Sequence, residues 1–197
     1  MAPNLSEDEI DDLIYFARAG ETADLTETLT ALSAREGVSP AEILLAARDS
    51  GKSTCLHMAT GNGNLEITTL LLSHFTSPEQ KTAFLDAPNE FGNTGLHWAA
   101  LGGHLSVVKF LVEQGSGLGV ANDKGYIPLD LASFGEKMDV VDYFLAGMED
   151  MEGENGEALG SAAEGLELGE ADAGEEEVEA EGSTAKEAEG GKPSGST

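Results

Sequence analysis

The one cysteine of the chain, Cys55, stands two residues before His57. A thiol beside an imidazole is a nucleophile beside its base, and Glu66 or Asp86 could orient the pair. The same types, with His104 added, are zinc ligands. Spacing argues against both. No Cys-x-x-Cys or His-Glu-x-x-His occurs, and Thr54-Cys55-Leu56-His57 returns 40 residues later as Thr94-Gly95-Leu96-His97. Equivalent histidines of a stacked repeat lie on successive layers and do not converge on one ion or substrate. Gly51-Lys52-Ser53 ends like a phosphate-binding loop, but Ala46 stands where its first glycine is required. No catalytic residue, metal or ATP is expected, and full function in a Cys55→Ala variant would dispose of a cysteine enzyme.

The elements that position these residues follow from the repeat itself. Ser53 to Ala59 matches Asn93 to Ala99, each continuing to a glycine (Gly63, Gly103), a leucine (Leu65, Leu105) and a helical apolar run. A third copy, Gly125 to Ala132, follows 33 residues on and leads to Met138, Val140, Val141 and Phe144. These segments resemble the ankyrin repeat, a turn followed by two antiparallel helices. The resemblance implies that Thr54, His57, Thr94 and His97 are structural turn residues, satisfying backbone donors at the start of the first helix. In the last copy Ile127 and Asp130 replace Thr and His, which predicts a looser turn. Upstream, Glu9 to Leu32 reads as two helices broken at Gly20, a capping repeat of the kind that ends a solenoid. Ser39-Pro40 and Ser77-Pro78 read as further helix starts. The expected fold is all-α: an ankyrin solenoid of about four repeats including caps. Its domain is 1–148, with a cap near 9–36 and repeats near 49–83, 89–120 and 122–148; an acidic disordered tail over 149–197 follows.

Stacking lines up the turn residues and late first-helix residues along a concave face, which repeat proteins use for binding. The expected partner contacts are Ser53, Met58, Asn62, Glu90, Phe91, Asn93, Trp98, Leu101, Asp123, Lys124, Tyr126 and Phe134. Four of them (Phe91, Leu101, Tyr126, Phe134) are large apolar residues on one surface, rimmed by Glu90, Asp123, Asp49 and Asp86, a groove for a basic amphipathic segment. Trp98, in one row with Met58 and Leu131, reads equally as core packing or as a half-exposed platform.

Charge sets the sign of the partner. The formal charge is −27. Residues 149–197 hold 16 acidic against 2 basic side chains, a net of −14, and residues 1–148 hold 21 against 8, a net of −13, with every aromatic. Direct nucleic-acid binding and anionic membranes are disfavoured, since both draw affinity from Lys and Arg. A single cysteine permits no internal disulfide and favours a reducing compartment. Met1 to Asp12 lacks the pattern of a signal peptide, and runs such as Ile43 to Ala47 are too short to span a bilayer. A soluble intracellular protein is expected.

The whole layout is similar to the fungal ankyrin-repeat chaperones dedicated to ribosomal protein S3. The similarity rests on Ala17 to Gly20, Thr54 to Ala59, Asn93 to Ala99, Val140 to Leu145 and the acidic tail. It implies an ATP-independent monomer that binds newly made S3, through the client's basic N-terminal segment, in cytoplasm and nucleus. It would prevent aggregation and support nuclear import and small-subunit assembly. A histone-type chaperone or acidic transcription regulator on the same scaffold stays open, distinguished by which protein co-purifies.

Overall fold

Ser6 starts the first helix by a reciprocal cap. Its hydroxyl accepts the Glu9 N–H at 3.3 Å while the Glu9 carboxylate accepts the Ser6 N–H at 2.9 Å, satisfying two of the donors a helix start leaves open. Helix α1 (Glu7–Ala19) follows, then α2 (Thr22–Glu36). A second reciprocal cap, Ser39 with Glu42, opens α3 (Pro40–Ala46). The chain continues through α4 (Cys55–Gly61), α5 (Leu65–Ser73), α6 (Pro78–Leu85), α7 (Gly95–Gly102), α8 (Leu105–Glu113), α9 (Pro128–Phe134) and α10 (Met138–Glu154). This computed structural model describes residues 2–154, with side chains through Gly147. No strand occurs among the described residues.

Helices α1, α4, α7 and α9 stack in chain order as an inner row, and α5, α8 and α10 form an outer row behind them. The inner row shares one pattern: Leu13, Leu56 and Leu96 are fully buried, as are Ala17, Thr60 and Ala100. Burying each leucine stabilises by about 1.5–3 kcal/mol, and small residues opposite let the helices approach. Helices α3 and α6 are additions to the first two helix pairs, and they pack against each other. Phe84 and Leu85 of α6 are buried, with the Phe84 ring stacked on Phe75 at 4.7 Å.

Between the helix pairs the chain makes hairpin-like fingers at Asp49–Ser53, Asn89–Asn93 and Asn122–Tyr126, each closed by backbone bonds between those end residues. Adjacent fingers are tied: Glu90 N–H donates to Gly51 O at 2.8 Å and Asp123 N–H to Phe91 O at 3.1 Å. Each finger tip needs a left-handed residue, supplied by Lys52 (φ 60), Gly92 (φ 74) and Gly125 (φ 80). The turn between inner and outer helices needs another, at Gly20, Gly63, Gly103 and Glu136 (φ 55). At Lys52 and Glu136 a side chain thus occupies a conformation that favours glycine.

The last helix departs from expectation. It runs to Glu154, six residues beyond the boundary expected at 148. Phe144, Met148 and Met151 keep helical apolar spacing across that boundary, and Gly147 costs a helix interior only about 1 kcal/mol. The tail expected to be disordered falls, over residues 155–197, outside the described residues.

Candidate partner-binding surface

The turn histidines illustrate how the fingers are held. Thr54 N–H donates to His57 Nδ1 at 3.1 Å, with the Thr54 hydroxyl 3.0 Å from the same nitrogen; His57 Nε2 lies 2.8 Å from Asn93 O in the next finger. The second copy repeats this: Thr94 N–H to His97 Nδ1 at 3.1 Å, and His97 Nε2 to Tyr126 O at 3.0 Å. Since Nδ1 accepts, Nε2 carries the proton and donates forward, so both rings are neutral. Burial pushes both imidazoles below their ordinary value of 6.5. In the third copy Asp130 Oδ2 accepts the Ile127 N–H at 2.9 Å. The turn expected to be looser therefore keeps its local cap. The turn lacks the threonine hydroxyl contact and the forward bond, and among the described residues no further finger follows.

Those bonds leave little for other chemistry. Both ring nitrogens of His57 and His97 are engaged, and His104 Nε2 lies 2.9 Å from Gly61 O. The Cys55 thiol is fully buried, and burial pushes it up to about 12, so it carries no thiolate near neutral pH. Among the described residues no group of three metal-ligating side chains converges.

The apolar residues expected on the concave side do converge. Phe91, Asn93, Leu101, Asn122, Asp123, Lys124, Tyr126, Leu131 and Phe134 line a groove of about 340 Å³ between the third and fourth inner helices and their fingers. Phe91 is 60% exposed, Phe134 62% and Leu101 48%. Tyr126 meets Phe134 edge to face with centroids 4.9 Å apart, an arrangement that favours both rings. Asn122 Nδ2 donates to Asn93 Oδ1 at 2.8 Å, which ties Asn93 into the lining of the groove. Trp98 lies outside this groove on the next step of the face. It is 36% exposed and passes so close to Gly61 that a Cβ there would sit 2.8 Å from the indole. Trp98 therefore packs closely on Gly61 and still leaves about a third of its surface open.

Two expected contacts move off the surface. Ser53 is buried, its N–H held by Asp49 Oδ1 at 2.7 Å. Met58 is buried beneath Arg18, whose Nη2 donates to its sulfur at 3.1 Å. Ser53 is held within its own finger, whereas Met58 depends on Arg18 from 40 residues away. Asn62 stays exposed, with its amide on Met58 O at 3.1 Å. Glu90, Asp123 and Lys124 are exposed. Glu90 and Asp49 bring carboxylates to either side of Gly51, 3.3 and 3.4 Å from where a Cβ would lie. Asp86, expected on the rim, instead accepts the Gly117 N–H at 2.9 Å at the end of α6.

The structure adds two residues that sequence reading missed. Aligning Gly20 with Gly63, an offset of 43, continues the row Leu131, Trp98, Met58 to Tyr15, and the row Phe134, Leu101, Gly61 to Arg18. Tyr15 is 56% exposed, and Arg18 is exposed. The signal was the shared left-handed glycine, which the missing Thr-x-Leu-His of the cap obscured.

No helix among the described residues is long and apolar enough to cross a membrane. Comparison with known proteins matches residues 79–132 to the family model "Ankyrin repeats (many copies)" and residues 52–83 to "Ankyrin repeat". The Notch-regulated ankyrin repeat-containing protein of Xenopus laevis is 33% identical over 90 residues, 44% of this chain and 74% of that protein. Ankyrin repeat-containing protein YAR1 of Saccharomyces cerevisiae is 37% identical over 93 residues, 45% of this chain and 44% of that protein. Against rat diacylglycerol kinase zeta the match spans only 10% of the relative's length. Among solved structures, a chain of the "Crystal Structure of the Yeast Ribosomal Protein Rps3 in Complex with its Chaperone Yar1" superposes with TM-score 0.67 at 34% identity, covering 73% of this chain and 95% of that one.

Proposed function

The chain belongs to the ankyrin-repeat family, and from that premise we propose that it is a dedicated, ATP-independent chaperone of ribosomal protein S3. The observation that carries this is the likeness, across 95% of its partner chain, to the structure of yeast Rps3 with its chaperone Yar1. The surface supports it in kind. An apolar groove lined by Asp123 and Lys124, with the Glu90 carboxylate by Gly51 of the preceding finger, in a chain of net charge −27, suits a cationic segment with an apolar face. Newly made S3 is such a client, prone to stray RNA contacts and aggregation until assembled. Its basic N-terminal segment would dock through Phe91, Trp98, Leu101, Tyr126 and Phe134, with Asn62, Asn93, Glu90, Asp123 and Lys124 around them. Apolar burial would hold the complex, and charge would govern encounter and choice of partner. The chain has no enzymatic role in this reading and works in cytoplasm and nucleus, shielding S3 through import and small-subunit assembly.

The test is co-expression of S3 with and without this chain, without added nucleotide, followed by sedimentation. Soluble S3 that elutes with the chain is expected. S3 that pellets equally in both cases, with histones or DNA-binding factors recovered instead, would overturn the proposal.

A further inference from the structure

We propose that the cap end of the concave face is a second recognition subsite, in which Arg18 takes a carboxylate of the client segment. This rests on the chaperone reading above and assigns the segment a direction. Arg18 occupies the same step on α1 that Gly61, Leu101 and Phe134 occupy on the later inner helices, so it faces the partner as they do. Its guanidinium carries five donors in a planar fork suited to a carboxylate. The one partner it has among the described residues is the Met58 sulfur, a weak acceptor.

The contrast with Arg35 is informative. Arg35 is held by both Glu9 and Glu36 and also donates to Asn4 O at 3.1 Å. Arg18, in a chain with 37 acidic side chains, makes no ion pair among the described residues. The helix gives it none: the residues three and four positions before it are Tyr15 and Ile14, where a carboxylate could have paired. A cation left without a carboxylate on the binding face of an acidic protein suits an anionic group brought by the partner. Tyr15 beside it, 56% exposed, adds apolar area and a hydroxyl.

Three steps between neighbouring inner helices separate Arg18 from Phe134. At about 8–10 Å per step that is roughly 24–30 Å, the length of a helix of about 16–20 residues. The client segment therefore lies with its apolar side chains in the groove at one end, its basic groups against Asp123 and Glu90, and an acidic residue at Arg18.

The plain alternative is that Arg18 only lays its stem across Met58. The two accounts predict opposite signs. If the face is merely an acidic attractor, removing a positive charge strengthens binding of a cationic client. Purified S3 is titrated against the full chain and its Arg18→Gln, Arg18→Lys and Arg18→Glu variants, with melting curves on each. The expected result is about tenfold weaker binding for Arg18→Gln, the scale of one charge-assisted hydrogen bond. Arg18→Glu should lose more, and Arg18→Lys should stay within about threefold. Unchanged or tighter binding by Arg18→Gln overturns the subsite alone. Equal losses in the Gln and Lys variants assign the effect to packing and overturn it too. No saturable binding by the unaltered chain overturns the client assignment, and the subsite with it.

Discussion

Phe91→Ala should weaken client binding far more than it weakens the fold. Phe91 sits on the third-repeat finger and is 60% exposed. A phenylalanine presents on the order of 200 Å², so about 120 Å² remains for a partner to cover. At about 25 cal/mol per Å² that area is worth roughly 3 kcal/mol. Ordering the side chain on binding returns about 0.5–1.5 kcal/mol. The net, about 1.5–2.5 kcal/mol, corresponds to roughly 10- to 70-fold in Kd. The finger itself should survive, since its closing bonds are backbone bonds of Asn89, Gly92 and Asn93 and the Asn89 side chain. Phe84→Ala is the internal control: that ring is 1% exposed, and its loss should cost about 3–5 kcal/mol of stability. Calorimetric titration against an S3 N-terminal peptide, with thermal melts of each variant, reads both effects. Phe91→Ala that melts as early as Phe84→Ala, or that binds as tightly as the unaltered chain, would refute the reasoning.

Glu136→Gly removes a side chain from a left-handed turn and should stabilise by about 0.5–1 kcal/mol after allowing for the freer unfolded chain; a lower melting temperature would contradict this. Gly63→Ala should destabilise by more than about 1 kcal/mol, because φ is +70° and the new Cβ would lie 2.5 Å from the His104 ring; chemical denaturation measures it. His57 and His97 titrate below their ordinary 6.5 when folded, so the unfolded chain binds more protons and stability should fall as pH drops from 7 towards 5. Melting temperatures flat across that window would refute it. Truncation after Glu154 should slow association with S3 at low salt and leave dissociation nearly unchanged, as stopped-flow mixing would show.

Local chemistry was the legible part of this sequence. The Thr-x-Leu-His turns, the Ser39-Pro40 and Ser77-Pro78 helix starts and the Phe91–Phe134 surface depend on residues close in the chain or at fixed repeat spacing. Much of what escaped depends on distant partners, although Ser53 is drawn in by its near neighbour Asp49. Met58 left the surface because Arg18 covers it, and Ser53 because Asp49 draws in its backbone. Asp86 left the rim because the loop at Gly117 needed an acceptor. The packing of α3 on α6 joins two insertions whose common Ser-Pro start gives no sign that they meet. Tyr15 and Arg18 were visible only through Gly20, one residue of a motif the cap otherwise lacks.

The joints of the stack are unequal, and this makes the lone cysteine a reporter. The later repeats are linked by backbone bonds between fingers and by His57 and His97. Among the described residues no backbone-to-backbone bond joins α1 or α2 to the second repeat; the links are side-chain bonds such as Asn62 to Arg18 O and Thr22 to Glu66. Local opening favours the least tied interface, so the cap should lift first, and Cys55, fully buried at the start of α4, the helix that α1 packs on, is placed to report it. Thiol labelling of the native protein would then proceed at the frequency of cap opening. A bound client that spans the cap and the later repeats should slow that labelling, turning one sulfur atom into a clock for how firmly the two ends are held together.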